Sequence, residues 1–247
     1  MKKVVLIIFL ASSILKLSAQ EKQVTRVEQI WAGYFLQAKL SKDWGLWTDI
    51  HLRTKDDYFN QFSQSIVRLG LTRYLNPATK LTVGYAYVNH FPAASHPNIS
   101  LPEHRSWQQL QWHTNYGKNK LMQWIRLEQR FRSKATAAGT IADDWGFNQR
   151  IRYNILWSVP LSSKGFAPNS FAFLLNDEIH INLGKEIVYN TFDQNRFFVG
   201  LGYQANKHTQ IQLGYMNVFQ QMPTVNSYRD AHNIRLFVFQ NIDWSRH

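Results

Sequence analysis

From residue 28 onward, apolar and polar residues alternate at period two in segments of about 10 to 14 residues, each bounded by turn chemistry. No stretch sustains the 3.6-residue period of an amphipathic helix, so the chain is restricted to an all-β fold with two-sided strands. Ile30, Ala32, Tyr34, Leu36, Ala38 and Leu40 form one face of residues 28–40, opposed by Gln29, Gln37 and Lys39. Trp44, Leu46, Ile50 and Leu52 then alternate with Asp49, His51, Arg53 and Lys55, and Val67, Leu69, Leu71 and Leu75 with Gln64, Arg68 and Thr72. Ser41-Lys42-Asp43, Asn76-Pro77-Ala78-Thr79, Gly117-Lys118-Asn119-Lys120 and Asn206-Lys207-His208 read as tight turns. Between them fall longer connections at 91–103, which carries Pro92, Pro97 and Pro102, and at 133–144, 184–194 and 220–230; 160–169 is of middle length. Alternating short and long connections are the habit of outer-membrane barrels. About eleven strands can be counted, and single-chain bacterial barrels have even numbers. The expectation is a single closed antiparallel transmembrane up-and-down β-barrel of about 12 strands, residues 21–28 supplying the missing one, with 10 as the fallback.

Composition narrows the setting. Cysteine is absent, which removes disulfide-stapled folds, and nine Trp, eleven Tyr and sixteen Phe accompany a mean hydropathy of only -0.36. A polar average with abundant aromatics follows when each strand has one lipid face and one lumen face. Tyr85, Tyr87, Trp112, Tyr116, Tyr153, Trp157, Tyr203 and Tyr215 fall on the apolar faces, several near strand ends where a headgroup girdle would lie. Met1-Lys2-Lys3, the apolar run from Val4 to Leu15 and Leu17-Ser18-Ala19 have the order of a secretory signal peptide. Residues 1–19 are therefore expected to be removed, leaving 20–247 as one barrel domain in the outer membrane of a Gram-negative cell. Its partners would be outer-membrane lipid and the barrel assembly machinery. The formal charge is +12, and without Lys2, Lys3 and Lys16 it is still +9. These charges are dispersed singly rather than in runs, which fits a basic lumen and not nucleic-acid binding.

The polar faces of the middle strands carry the densest constellation. Arg105, Gln109, Gln111 and His113 share one parity, as do Arg126, Glu128, Arg130 and Arg132; then Arg150, Arg152 and Asn154; then Asn176, Glu178, His180 and Asn182; then Arg196 with Gln204. In a closed barrel all would point inward, where arginines need carboxylates or water, and Glu128 and Glu178 are the obvious partners. Such a cluster either braces the strands as a plug or forms a basic constriction passing a small anionic solute. Signals for catalysis are thin: no serine stands beside His113, His180 or His232 on the same face. Gly200-Leu201-Gly202 sits inside a strand rather than before a helix, and its glycines are expected to face inward near a packed aromatic. The histidines lack metal-ligand spacing and are expected at the surface; neither cofactor nor metal is implied.

Glu103-His104-Arg105 with Trp107-Gln108-Gln109, Arg126-Leu127-Glu128-Gln129-Arg130, Arg150-Ile151-Arg152-Tyr153, Asn176-Asp177-Glu178, Phe192-Asp193-Gln194-Asn195-Arg196 and Gly214-Tyr215-Met216-Asn217 resemble, in order and spacing, the family of exported bacterial barrels called domain of unknown function 2490. The resemblance implies an outer-membrane barrel without an assigned activity. Expectations for function are thus a porin-like, narrow anion-preferring channel, a lipid-modifying enzyme, or a scaffold or adhesin using loops 91–103 and 133–144.

Overall fold

A computed structural model describes residues 21–55 and 57–245, so the expected signal peptide at 1–19 lies outside the described residues. Among the described residues eleven strands follow one another without a helix: β1 (Gln23–Lys39), β2 (Trp44–Thr54), β3 (Phe62–Asn76), β4 (Thr79–His90), β5 (Leu101–Tyr116), β6 (Asn119–Ala135), β7 (Ile141–Pro160), β8 (Ser170–Leu183), β9 (Phe192–Gln204), β10 (Thr209–Gln221) and β11 (Ser227–Asp243). Each pairs with its neighbours in sequence, and β11 returns to β1 to close the barrel. Among the described residues the count is eleven, not twelve, because residues 23–28 continue β1 rather than forming a strand of their own.

An odd number changes the closure. Neighbours in an up-and-down barrel alternate in direction, so the first and eleventh strands run the same way, and β1 pairs β11 in parallel from Gln23↔Ser227 to Lys39↔Asp243. The barrel is therefore antiparallel everywhere except at this seam. Parallel ladders are slightly weaker per residue, and an overlap running the full length of both strands offsets that.

Connections at one rim are residues 40–43, 77–78, 117–118, 161–169 and 205–208; at the other they are 55–61, 91–100, 136–140, 184–191 and 222–226. The expected long loops at 133–144 and 220–230 shrink to these five-residue tips, since β6, β7, β10 and β11 extend beyond the span that alternates clearly.

Burial is inverted relative to a water-soluble barrel. The outer wall exposes Leu46, Ile50, Leu69, Val83, Ile125, Leu175, Leu213 and Ile234, with Tyr85, Tyr87, Tyr116 and Tyr215, whereas most of the buried side chains are polar or charged. Apolar residues do enter the interior in two clusters. Trp31, Leu174, Phe198, Met216 and Val218 make one; Trp47, Ala86 and Trp107 make the other. Glycine pairs seat the largest rings. A Cβ at Gly84 would stand 2.8 Å from Trp107 and 2.1 Å from the Leu69 carbonyl, and one at Gly200 2.5 Å from Phe198, so of the two glycines expected against an aromatic Gly200 meets one, whereas Gly202 lies against Leu174.

Candidate functional site

Strand parity builds the site. Because β-strand side chains alternate, a run such as Arg126, Glu128 and Arg130 sends every second residue to one side, and closure turns that side into the interior. Arg105, Gln109, Arg126, Glu128, Arg130, Arg150, Arg152, Asn176, Glu178 and Arg196 are all buried on the inner wall, as are Gln111, Asn154 and Asn182. Arg132 and Gln204 are half-buried toward opposite rims, and His113 is exposed near the short-turn rim.

Glu128 is the centre of the largest network. Its Oε2 accepts from Arg150 Nη2 at 2.6 Å and Nε at 3.0 Å, and its Oε1 from Arg152 Nη1 at 2.8 Å. Arg126 Nη1 lies 3.8 Å from the same carboxylate, but its fork is directed at Gln109 Oε1, 2.8 Å from Nε. Arg152 continues to Glu178, with Nε at 2.7 Å, and Glu178 is shared with His180 at 2.9 Å and Arg196 at 3.6 Å. Asn176 turns its amide onto the Ile155 carbonyl at 2.7 Å. Glu103 heads a second chain, accepting from Arg105 Nε at 2.7 Å, Arg130 Nε at 2.6 Å and His90 Nε2 at 2.9 Å. A third, on β2 and β3, has Asp49 between Trp47 Nε1 at 2.6 Å, Arg68 at 2.7 Å and His51 at 2.8 Å.

Three carboxylates in these networks were not foreseen as site residues. Asp49 and Glu103 have inward parity, and Glu103 was masked by its neighbour Pro102, which suggests a loop. Asp193 has the wrong parity for its position. A bulge at His180/Ile181 sets Asp193 and Gln194 of β9 against the single residue His180, so both turn inward and Asp193 reaches Arg150 Nη1 at 2.7 Å. The histidines also need correction: His51 and His180 are buried and paired with carboxylates, not placed on the surface.

Charge inside is unequal. Eight arginines and five carboxylates are buried among the described residues, and Arg53 adds a half-buried guanidinium above Trp31. A desolvated ion costs several kcal/mol unless paired, so the network neutralises most of this charge and leaves some uncompensated. Chemistry of other kinds has little to work with. His180 meets Glu178, Asp193 and Gln194, and His113 meets Gln111, with no serine in either set. No group of three metal-ligating side chains occurs among the described residues.

Residues 28–229 match the family model described as "Protein of unknown function (DUF2490)". The chain belongs to the DUF2490 family. Five of the six strings that suggested it contribute side chains to the interior networks, so in this DUF2490 member the resembling residues and the buried charges coincide. No curated protein and no solved structure matches the chain.

Proposed function

We propose that this DUF2490 protein is an integral outer-membrane barrel without catalytic activity, whose basic interior prefers small anions and conducts them narrowly. The observation that carries the reading is the inverted burial: apolar side chains cover the outer wall and arginines with carboxylates fill the inside. An outer wall of Leu, Ile, Val and Phe in water would be a contiguous apolar surface far larger than a soluble monomer tolerates, whereas in lipid it is the favoured surface. Aromatic pairs such as Phe171–Tyr203 and Tyr116–Trp157 lie near the short-turn rim, where rings suit an interfacial girdle. Excess guanidinium in the lumen repels cations, and the ion-paired network across it restricts the bore, so the expected conductance is small.

Two measurements test the reading. The outer-membrane fraction, run on a detergent gel with and without boiling, should contain a heat-modifiable band; recovery of the protein as a soluble periplasmic species would overturn the membrane assignment. Purified barrel in planar bilayers should give small anion-selective steps that change in Arg130→Ala and Arg152→Ala, and silence in all three proteins would remove conduction.

A further inference from the structure

The interior arginines divide into those that meet carboxylates and those that meet only rings and amides. Arg53 and Arg235 are of the second kind. Arg53 lies with its guanidinium carbon 3.6 Å from the centre of the Trp31 ring, and its one hydrogen bond joins Nη1 to Gln64 Oε1 at 2.6 Å. Arg235 is stacked 3.3 Å from the centre of Phe198 and 4.7 Å from that of Phe237, and bonds only Gln212, at 2.9 Å. Neither has a carboxylate within 4.0 Å among the described residues, and the Nε of each is buried without a hydrogen-bond partner.

Register brings them together. Trp31 on β1 is opposite Arg53 on β2 and level with Arg235 on β11, so the two arginines flank one tryptophan on the inner wall, about 10 Å apart at the backbone for two strand spacings. Arg196 approaches the same Trp31 ring at 4.9 Å and is only loosely tied to Glu178. Gly214 and Gly200 are next in that row on β10 and β9, and the Phe198 ring on which Arg235 is stacked lies over them.

Cation–π stacking does not balance such a group. Each such contact is weaker than the cost of desolvating the ion it holds. Guanidinium is always charged and carries donors in a fork suited to carboxylate or phosphate oxygens. We infer that Arg53 and Arg235, with Arg196 behind them, form a binding site for a small soluble oxyanion of the phosphate or carboxylate type over Trp31. The residues face the interior, so the ligand is a free anion rather than a lipid headgroup. Its entry is the longer-loop rim: Arg53 is half-buried, and Gln64 joins it to His90, whose side chain is one-third exposed. The inference deepens the anion preference proposed above, yet it requires occupancy and not passage.

Equilibrium dialysis of the folded barrel in detergent against radiolabelled inorganic phosphate tests it, with acetate and sulfate as competitors. The expected result is saturable binding, weakened at least tenfold in Arg53→Gln and in Arg235→Gln and unchanged in Lys118→Gln, an exposed turn residue. Unchanged binding in both arginine variants, or no saturable binding of any of the three anions by the wild type, overturns the site. Should either variant fail to reach the heat-modifiable form, bromide soaked into wild-type crystals decides: anomalous density between the two guanidiniums supports the site, and its absence there overturns it. Binding without conductance keeps the site and removes the channel; conductance without binding does the reverse.

Discussion

The wall formed by β5 to β9 and the wall formed by β10, β11 and β1 handle the same problem differently. On the first, Glu103, Glu128, Glu178 and Asp193 are threaded between arginines at hydrogen-bond distance, and both oxygens of Glu128 are engaged. The second contributes no buried carboxylate among the described residues; its buried polar side chains are Gln29, Gln212, Asn233 and Arg235, set among Trp31, Phe198 and Met216. One wall is held by paired charge, the other by aromatic packing with a cation laid upon it. Arginine in a barrel interior therefore has no single role: its nearest neighbours decide whether it braces strands or attracts a counter-ion.

The sharpest way to break that contrast is Glu128→Gln. It removes the shared negative charge and sets an amide NH2 against one of the two buried guanidiniums, Arg150 or Arg152, and a cost of about 3 to 5 kcal/mol is expected in urea unfolding followed by the heat-modifiable band. A loss below about 1 kcal/mol would mean that water already replaces the carboxylate. Gly84→Ala probes the packing beneath Trp107 without touching a charge, and overpacking should destabilise by about 1 to 3 kcal/mol in the same assay. Arg235→Met retains the stem over Phe198 and removes an unpaired charge; stability should stay within about 1 kcal/mol of wild type or rise, opposite in sign to Glu128→Gln. If Arg235→Met proves as damaging as Glu128→Gln, the two walls do not differ in the way described. At the exposed rim, Lys134→Ala loses contacts to Asp144 and Glu186 and should leave the unfolding midpoint unmoved, since solvent screens such pairs.

Much of this arrangement was legible in the residues. Period two identifies the inner face wherever a strand is regular, which is why the sequence alone places Arg126, Glu128 and Arg130 inward, with Glu128 and Glu178 as partners for the arginines. Three things were hidden, each for a physical reason. Ser133 to Asp144 alternates too weakly to read as strand, yet β6 and β7 continue through most of it and leave only Thr136–Thr140 as the tip. Asp193 was invisible because a bulge breaks parity without any glycine or proline to announce it. The pairing of particular carboxylates with particular arginines depends on the stagger between strands, a property of closure and not of any one segment. Aromatic support for Arg235 was missed for that reason too, since Phe198 reaches it from β9, two strands away.

That seam has a consequence for assembly. Strands β1 and β11 are the most distant in sequence, and every other ladder joins neighbours, so ten hairpin-like steps can zip locally while the eleventh waits for the whole ribbon to curl. Until then two open margins, one at each end of the ribbon, display unsatisfied main-chain donors and acceptors that any other nascent chain could capture. Strand β11 is thus the latch, and shortening it would leave not a smaller barrel but a sticky, unsealed sheet.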